Sequence, residues 1–413
     1  MKTTIQTNNN EVTIILAGRL DTATSAETSA LINSELDNME NISRVTCNAT
    51  DLEYISSSGL RILLSLAKRI KDFRVVDVKP QVYGILETTG FTKIMTVERA
   101  MRRLSVEGCR LIGVGGVGKV YRLDGDTIIK VFREGTTIEE VRGEITLSKE
   151  AFVLGMPTAI SFDVVRVVPS TEVKVESYGL VYELLQAQTL STYVKKHPEE
   201  LDECARKYAE LFQQLHQIEV PAGGNIPSAI ERERKQVEHI RRYFPQESID
   251  MLMSILDSIP AGNRLLHLDL QTKNVMLQDE EPMLIDMGEV AYGNPLLDLA
   301  HAYSAMVGFI GDYEGTIGIT REMGLKIWNK AMEYYFAGLP AEVIAERKEQ
   351  IEVVSYIRNF SWLSLSDSFP EAVVQECKAT FDERVTKQYD RILSVCRKMK
   401  NETAPLPLPG EGE

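Results

Sequence analysis

Residues that could carry out phosphoryl transfer lie in one polar loop between two apolar runs. The segment reads Leu265-Leu-His-Leu-Asp269-Leu-Gln-Thr-Lys-Asn274-Val-Met-Leu, and its apolar flanks place the loop at the edge of a packed core. Asp269 can accept or orient the proton of an acceptor hydroxyl, and Asn274 can offer a carboxamide oxygen to Mg²⁺. Asp286 ends a second apolar run, Met283-Leu-Ile, and is a natural carboxylate ligand for a magnesium ion that bridges phosphates.

A glycine-rich segment lies upstream of this loop. It fits the pattern GxGxxG, and its glycines are Gly113, Gly115, Gly116 and Gly118. A dinucleotide site would need a helix directly after the glycines, but Val120-Tyr-Arg-Leu is typical of a strand. The pattern therefore predicts a glycine-rich β-hairpin whose backbone can come close to ATP phosphates.

Lys130 lies inside the apolar strand pattern Ile128-Ile-Lys-Val-Phe132. A lysine that points inward needs an anionic partner, which ATP phosphates and a helix carboxylate would supply. An outward-facing lysine on an alternating strand is the alternative. The next helix opens with the capping box Thr137-Ile-Glu-Glu140. Among its glutamates we select Glu144 as the partner of Lys130 because it lies mid-helix, although most such glutamates are simply solvated.

Each of these acids alone could be a turn or capping residue. The ordered series of glycine-rich hairpin, strand lysine, HxDxxxxN and IDxG is hard to obtain by chance. The following motif, Gly293-Asn-Pro-Leu-Leu-Asp298, adds a second aspartate. We expect Asp298 to cap backbone or to hold the catalytic loop by hydrogen bonds, and His267 to brace that loop rather than to act as a base.

These residues resemble the aminoglycoside/choline-kinase-like phosphotransferases, bacterial relatives of the protein-kinase fold, over residues 108–400. The resemblance implies a two-lobe α+β domain with ATP in the cleft and Mg²⁺ as the metal. It also implies a hinge against adenine in Leu180-Val-Tyr-Glu-Leu-Leu-Gln, so that Glu183 and Leu185 would be ATP-binding residues. Gln271 stands where protein Ser/Thr kinases usually carry lysine, which favours a small-molecule-kinase ancestry without excluding a protein hydroxyl as acceptor.

The first hundred residues alternate strand and helix signals, which predicts an α/β domain. Strands are predicted at Val12-Thr-Ile-Ile-Leu-Ala, Arg44-Val-Thr-Cys-Asn-Ala and Arg74-Val-Val-Asp-Val. Helices are predicted over residues 23–38, around Leu60 to Ala67, and from Pro80 to Thr89.

This domain resembles a STAS domain, the fold of anti-sigma-factor antagonists, through Gly18-Arg-Leu-Asp21 and Asp51-Leu-Glu-Tyr-Ile-Ser-Ser57-Ser-Gly59-Leu. The resemblance implies that Ser57 is a phosphoacceptor and that the domain binds an anti-sigma-type protein partner. Ser56 departs from the pattern, because the family often has aspartate there. On the residues alone, Ser56 to Ser58 as helix caps are the alternative.

We predict four segments: a STAS-like domain over residues 1–103, a kinase-like N-lobe over 104–187, a helical C-lobe over 188–402 and a disordered tail over 403–413. The net charge of −14 argues against a nucleic-acid partner. No apolar run approaches the roughly 20 residues that cross a bilayer. The five scattered cysteines form no CxxC pair and predict reduced thiols, so we expect a cytoplasmic protein with no membrane partner.

The leading hypothesis is an ATP- and Mg²⁺-dependent kinase that phosphorylates a hydroxyl. The acceptor is a small alcohol or aminoglycoside-like metabolite, or a protein serine such as Ser57 of the same chain or of a partner. The alternative is a non-enzymatic, nucleotide-binding signalling module of a partner-switching system.

Overall fold

The computed structural model describes residues 1–8, 10–39, 41–279, 281–309, 312–365 and 369–401. It divides into two compact units, Met1–Leu104 and Ser105–Glu413. The predicted tail over residues 403–413 lies outside the described residues. Within the described ranges, no helix combines the length and the apolar character needed to cross a membrane.

The first unit is built around a five-stranded sheet in the order β1-β2-β3-β4-β5. Its strands are β1 (Lys2–Asn8), β2 (Glu11–Leu20), β3 (Arg44–Ile55), β4 (Phe73–Val78) and β5 (Thr96–Arg99). Its helices are α1 (Thr22–Asp37), α2 (Ser57–Arg69) and α3 (Pro80–Thr88). β1 is antiparallel to β2, and the remaining neighbours are parallel.

Alternation of apolar residues explains which strands the sequence reveals. Val12, Ile14 and Leu16 of β2 are buried, so the strand shows the period of two expected of a half-buried strand. The sequence prediction missed β1 and β5. β1 is a polar edge strand with no fully buried residue, and β5 has only four residues, so neither carries the apolar signal of a central strand.

An antiparallel sheet and one long helix form the first part of the second unit. The strands lie in the order β10-β11-β9-β8-β7 and the helix is α4 (Ile138–Val153). The bounds are β7 (Arg110–Val114), β8 (Gly118–Arg122), β9 (Thr127–Phe132), β10 (Ser161–Val167) and β11 (Ser177–Glu183), and a two-residue strand β6 (Arg103–Leu104) precedes them. The predicted capping box starts α4. The Thr137 side chain accepts from the Glu140 amide, and the Glu140 side chain accepts from the Thr137 amide.

The rest of the second unit is mainly helical. Its helices are α5 (Leu190–Lys196), α6 (Leu201–Gln217), α7 (Ala229–His239), α8 (Gln246–Leu256), α9 (Pro295–Tyr303), α10 (Tyr313–Ile317), α11 (Arg321–Tyr335), α12 (Ala341–Ser361), α13 (Glu371–Arg384) and α14 (Tyr389–Asn401). Its short 3₁₀ turns lie at Pro198–Glu200, Ile240–Arg242, Met287–Glu289, Trp362–Leu365 and Thr386–Gln388, and a π-helical turn lies at Ser304–Gly308. The first unit has a 3₁₀ turn at Phe91–Lys93. One large apolar cluster, which includes Tyr208, Phe212 and Leu215 of α6, holds these helices together.

Short strands within the helical part position the polar loop identified in the sequence. The strands are β12 (Gln188–Thr189), β13 (Arg264–Leu266), β14 (Val275–Gln278), β15 (Glu281–Leu284) and β16 (Ala291–Gly293). β13 pairs with β16, whereas β14 pairs with β12 and β15. Residues 267–274 therefore connect two separate small sheets, and Asp286 lies two residues after the end of β15. The predicted fold class, an α/β domain followed by a two-lobe α+β domain, is confirmed.

Gly59 tests the packing of the first unit. A Cβ added there would lie 2.8 Å from Ile55 Cγ1 and 2.8 Å from Leu20 Cγ, so α2 packs on the sheet only without a side chain. We expect Gly59→Ala to destabilise this unit by about 1–3 kcal/mol through overpacking. Urea-dependent hydrogen exchange of peptides from residues 1–104 of the full chain would measure the change.

Gly84→Ala in α3 is the matched control, because a Cβ there meets no atom within 4 Å. We expect this variant to be unchanged or stabilised by about 0.5–1 kcal/mol, since alanine is the better helix former. Equal stability of the Gly59→Ala variant and the parent would contradict this description of the packing.

Candidate active site

A buried lysine joins two carboxylates at the centre of the candidate site. Lys130 Nζ lies 2.8 Å from Glu144 Oε1 and 2.8 Å from Asp286 Oδ1. Lys130 and Glu144 are 9% and 8% exposed, whereas the Asp286 side chain is 42% exposed. Lys130 thus points inward from β9, and the outward-facing alternative is wrong. The lysine connects a strand, a helix and the segment after β15.

The two carboxylates keep the buried lysine protonated. Burial alone would lower the pKa of Lys130, but the charges of Glu144 and Asp286 outweigh it and raise the pKa above its ordinary value. Tyr182 of β11 donates its hydroxyl to Glu144 Oε1 at 2.8 Å. Burial and the Glu144 charge raise the pKa of Tyr182 well above its ordinary value, so this phenol remains a donor. The sequence does not predict this bond of Tyr182, because nothing near Tyr182 in the chain indicates its partner.

The loop over residues 267–274 brings Asp269 and Asn274 together. Asn274 Nδ2 donates to the backbone oxygen of Asp269 at 2.8 Å and to its Oδ2 at 2.8 Å. The Asn274 carbonyl accepts from the Ile285 amide at 3.0 Å, which ties the loop to the residue before Asp286. Burial raises the pKa of Asp269 above its ordinary value, although the nearby Arg358 and His267 act against this. The half-buried carboxylate is therefore more basic than an exposed aspartate.

Two non-glycine residues beside the site have left-handed backbone. Leu268 has φ of +60° and Asp286 has φ of +66°. Such a conformation costs a residue with a side chain about 1–3 kcal/mol and persists only where the surroundings impose it. Each strained residue either carries a site carboxylate or directly precedes one, so the strain sets the direction of Asp269 and Asp286.

His267 and Asp298 are the buried side chains that hold the loop. His267 Nδ1 accepts from the Asp269 amide at 3.2 Å, so Nε2 carries the proton and donates to the Ile285 carbonyl at 3.1 Å. Asp298 of α9 accepts from the amides of His267 and Leu268 at 3.2 and 2.7 Å. These bonds fix both the loop and the chain before Asp286.

Asp298 is charged although it is fully buried. Burial raises its pKa, but the hydrogen bond and charge of His216, together with the Leu268 amide, outweigh burial and keep the pKa below its ordinary value. His216 Nε2 lies 3.2 Å from Asp298 Oδ2, and His216 Nδ1 lies 2.8 Å from the Tyr335 hydroxyl. His216 lies on α6 far from any motif, so no sequence signal predicts its contact with Asp298.

The glycine-rich segment forms the β7–β8 hairpin. The Gly115 amide donates to the Gly118 carbonyl at 2.9 Å and closes the turn. A Cβ on Gly118 would lie 2.2 Å from the Val131 carbonyl oxygen, so packing on β9 requires glycine there. A Cβ added to Gly116 would meet no atom within 4 Å, and one added to Gly113 or Gly115 would meet nothing closer than 3.6 Å. The tip of the hairpin therefore exposes backbone that a ligand can approach.

The predicted hinge residues occupy the connection after β11. Ile160 and Glu183 exchange two bonds: the Glu183 amide donates to the Ile160 carbonyl at 3.0 Å, and the Ile160 amide donates to Glu183 Oε1 at 2.8 Å. The Leu184 amide donates to the Asp126 carbonyl at 2.7 Å, and Leu185 is half-buried. The Glu183 side chain thus serves the backbone of its own lobe, and the ATP-binding roles of Glu183 and Leu185 remain predictions.

Ser57 occupies the start of α2 in the first unit. Ser56 is the N-cap residue, and its hydroxyl accepts from the Gly59 amide at 3.3 Å. Ser57 is the first residue of the helix and is exposed. The capping role considered for the whole serine run therefore falls to Ser56, and the Ser57 hydroxyl is accessible at the helix N-terminus.

Comparison with known families agrees with both resemblances. Residues 109–318 match the family described as "Phosphotransferase enzyme family", and residues 2–103 match the STAS domain. The chain belongs to the phosphotransferase enzyme family and carries a STAS domain at its N-terminus. It is thus a phosphotransferase of the kinase type, and the predicted enzyme class is confirmed.

Individual relatives are similar to parts of the chain. The candidate anti-sigma factor antagonist BtrV of Bordetella bronchiseptica is 30% identical over 101 residues, which are 24% of this chain and 85% of BtrV. A choline/ethanolamine kinase family protein from Mesorhizobium loti is 16% identical, with a TM-score of 0.44 over 70% of this chain and 92% of its own. The ADP-bound aminoglycoside phosphotransferase APH(2'')-Ib is 15% identical, with a TM-score of 0.42 over 70% and 93%. The roles of single site residues stay predictions.

The raised pKa of Asp269 predicts a pH-dependent stability change. A folded-state pKa above the unfolded value makes the folded state bind the proton more tightly, so stability falls as the pH rises from about 4 through the folded pKa. Asp269→Asn removes this penalty. We expect the free energy of unfolding at pH 7 to rise by about 0.5–2 kcal/mol, and the gain to shrink as the pH falls to about 4.

Urea denaturation of the variant and the parent at several pH values measures this difference. Asp286→Asn is the matched control, because it removes a carboxylate from Lys130 and should lower stability at pH 7. A gain for Asp269→Asn that is the same at pH 4 and pH 7 would contradict the argument.

Proposed function

We propose that the second unit transfers the γ-phosphoryl group of ATP to a hydroxyl group. The observation that carries this proposal is the convergence of Lys130, Glu144 and Asp286 beside the loop that bears Asp269 and Asn274. A charged lysine held by two carboxylates suits a polyanion, and a carboxylate of raised pKa suits proton acceptance. The five free cysteines and the use of ATP fit a cytoplasmic location.

The residues divide the reaction between binding and proton transfer. Lys130, oriented by Glu144, contacts the ATP phosphates while the glycine-rich hairpin covers them with backbone amides. The acceptor oxygen attacks the γ-phosphorus, the bond from that phosphorus to the β–γ bridging oxygen breaks, and ADP leaves. Asp269 orients the acceptor hydroxyl and takes its proton. The other ATP contacts proposed are Gly113, Gly115, Gly116, Gly118, Glu183 and Leu185.

Asn274 and Asp286 are the proposed magnesium ligands. They offer a carboxamide and a carboxylate oxygen, which are the hard donors that Mg²⁺ prefers. Asp286 suits this role because its side chain is partly exposed and faces Lys130 through Oδ1. When bound, Mg²⁺ neutralises phosphate charge as the transfer proceeds. His267 and Asp298 hold these ligands in place through the loop.

Two classes of acceptor fit the proposal. One is a small alcohol or aminoglycoside-like metabolite, with the STAS domain as a regulatory module that binds an anti-sigma-type protein. The other is a protein serine, and the exposed position of Ser57 beside the capping Ser56 favours this residue. A phosphate at Ser57 would meet free amides at the helix N-terminus and would add about −1.5 to −2 charges, which can change how a partner binds.

Intact-mass measurement after incubation with Mg²⁺-ATP separates the two acceptors. If Ser57 is the acceptor, we expect one added phosphate that maps to Ser57 and is absent in Ser57→Ala and Asp269→Ala. Ser56→Ala is the matched control and should still be modified, because Ser56 is the cap and not the acceptor. An unchanged parent mass, together with ADP release in an alcohol screen, would instead indicate a small-molecule acceptor. Absence of any Mg²⁺-ATP turnover with all acceptors would contradict the proposed transfer.

A further inference from the structure

The peptide groups on both sides of Leu268 are bound by one helix. Asp298 and His301 lie three residues apart on α9 and therefore share a face. Asp298 Oδ1 accepts from the Leu268 amide at 2.7 Å, and His301 Nδ1 lies 2.9 Å from the Leu268 carbonyl oxygen. A carbonyl oxygen can only accept, so His301 Nδ1 carries a proton and donates it.

A buried glutamate holds the other side of the His301 ring. His301 Nε2 lies 3.2 Å from Glu233 Oε1, within ion-pairing distance although the groups are not aligned for a hydrogen bond. Glu233 lies on α7 and is 1% exposed, and Ser361 of α12 donates its hydroxyl to Glu233 Oε2 at 3.3 Å. Burial raises the pKa of Glu233, but the charges of His301, Arg358 and Arg232 lower it below its ordinary value. The glutamate is therefore an anion fixed between three helices.

We propose that His301 is a positioning residue for phosphoryl transfer, acting through the Leu268 carbonyl on the direction of Asp269, and that Glu233 steadies its imidazole ring. The inference rests on the proposed function of Asp269. Leu268 has left-handed backbone, so its peptide groups would relax towards a commoner conformation if they were released. Such a relaxation would turn the next residue, Asp269, away from the acceptor. His301 does not need to touch substrate for this role.

The two nitrogens of His301 can be removed separately. His301→Asn keeps a nitrogen donor near the Nδ1 position and so retains the bond to Leu268. His301→Gln places its nitrogen near the Nε2 position, which faces Glu233, and loses the bond to Leu268. The two variants are close in size and polarity, so a purely structural role of His301 would affect them alike.

The experiment measures ADP release from Mg²⁺-ATP in the presence of the acceptor that the intact-mass measurement or the alcohol screen identifies, and hydrogen exchange of the segment over residues 265–275 in the full chain. We expect His301→Asn to keep kcat within about threefold of the parent. We expect His301→Gln to lose on the order of tenfold to a hundredfold in kcat, with an unchanged KM for ATP and faster exchange of the segment. Equal kcat in the two variants, or a change in KM alone, would overturn the proposal.

One control and one replacement variant keep the result decisive. Val395→Ala on α14 removes a buried methyl pair from a helix that packs on α8 and α12, and should leave kcat unchanged. If His301→Gln does not fold, His301→Leu replaces it, because leucine is close in size and has no donor for the Leu268 carbonyl; an unchanged kcat in that variant would overturn the proposal. If the parent releases no ADP with any acceptor, the proposed function fails. Hydrogen exchange then tests the positioning role by itself, and equal exchange of residues 265–275 in the His301→Asn and His301→Gln variants would contradict that role.

Discussion

The ion cluster of Lys130 with Glu144 and Asp286 is the interaction on which the rest of the second unit depends. A lysine buried to this extent is unfavourable unless carboxylates and hydrogen bonds compensate for the lost hydration. Compensation here requires β9, α4 and the segment after β15 to meet at one point. Three local features position these elements: the capping box that starts α4, the close packing of Gly118 on β9, and the β14–β15 hairpin that leads to Asp286. The same arrangement leaves Asp286 partly exposed, where a phosphate or a cation can reach it.

The loop that carries Asp269 is held in place mainly by buried side chains that bond its backbone. His267 connects the loop to the chain before Asp286, and Asp298 binds two successive loop amides. The hydrogen bond of His216 to Asp298, with neighbouring charges and the Leu268 amide, outweighs burial and keeps the pKa of Asp298 below its ordinary value. A polar network of this kind has to be fully bonded to be stable, and a fully bonded network admits a single geometry. The strained backbone of Leu268 is the visible consequence of that restraint.

Local patterns in the sequence predict the parts of the site that lie within one segment. The glycine-rich hairpin, the strand around Lys130 and the loop from His267 to Asn274 each carry their own signal. The sequence does not predict the contacts of Tyr182, His216, His301 and Glu233. Each of these side chains contacts a partner distant in sequence, and the helix or strand pattern around it is the same as around an ordinary core residue. β1 is missed for a related reason. It is held to β2 by backbone hydrogen bonds and has no buried residue, so its side chains show no alternation of apolar and polar residues.

The binding of Mg²⁺-ATP to Lys130→Met tests the central claim most directly, measured by calorimetry on the full chain. Lys119→Met is the matched control, because Lys119 lies on the adjacent strand β8 and is exposed. Because Lys130, held by two carboxylates, is the proposed contact of the ATP phosphates, the account predicts at least about a tenfold weaker Kd for Lys130→Met and an unchanged Kd for Lys119→Met. Equal affinities of the parent and the Lys130→Met variant would contradict the claim that this ion cluster is the nucleotide phosphate site.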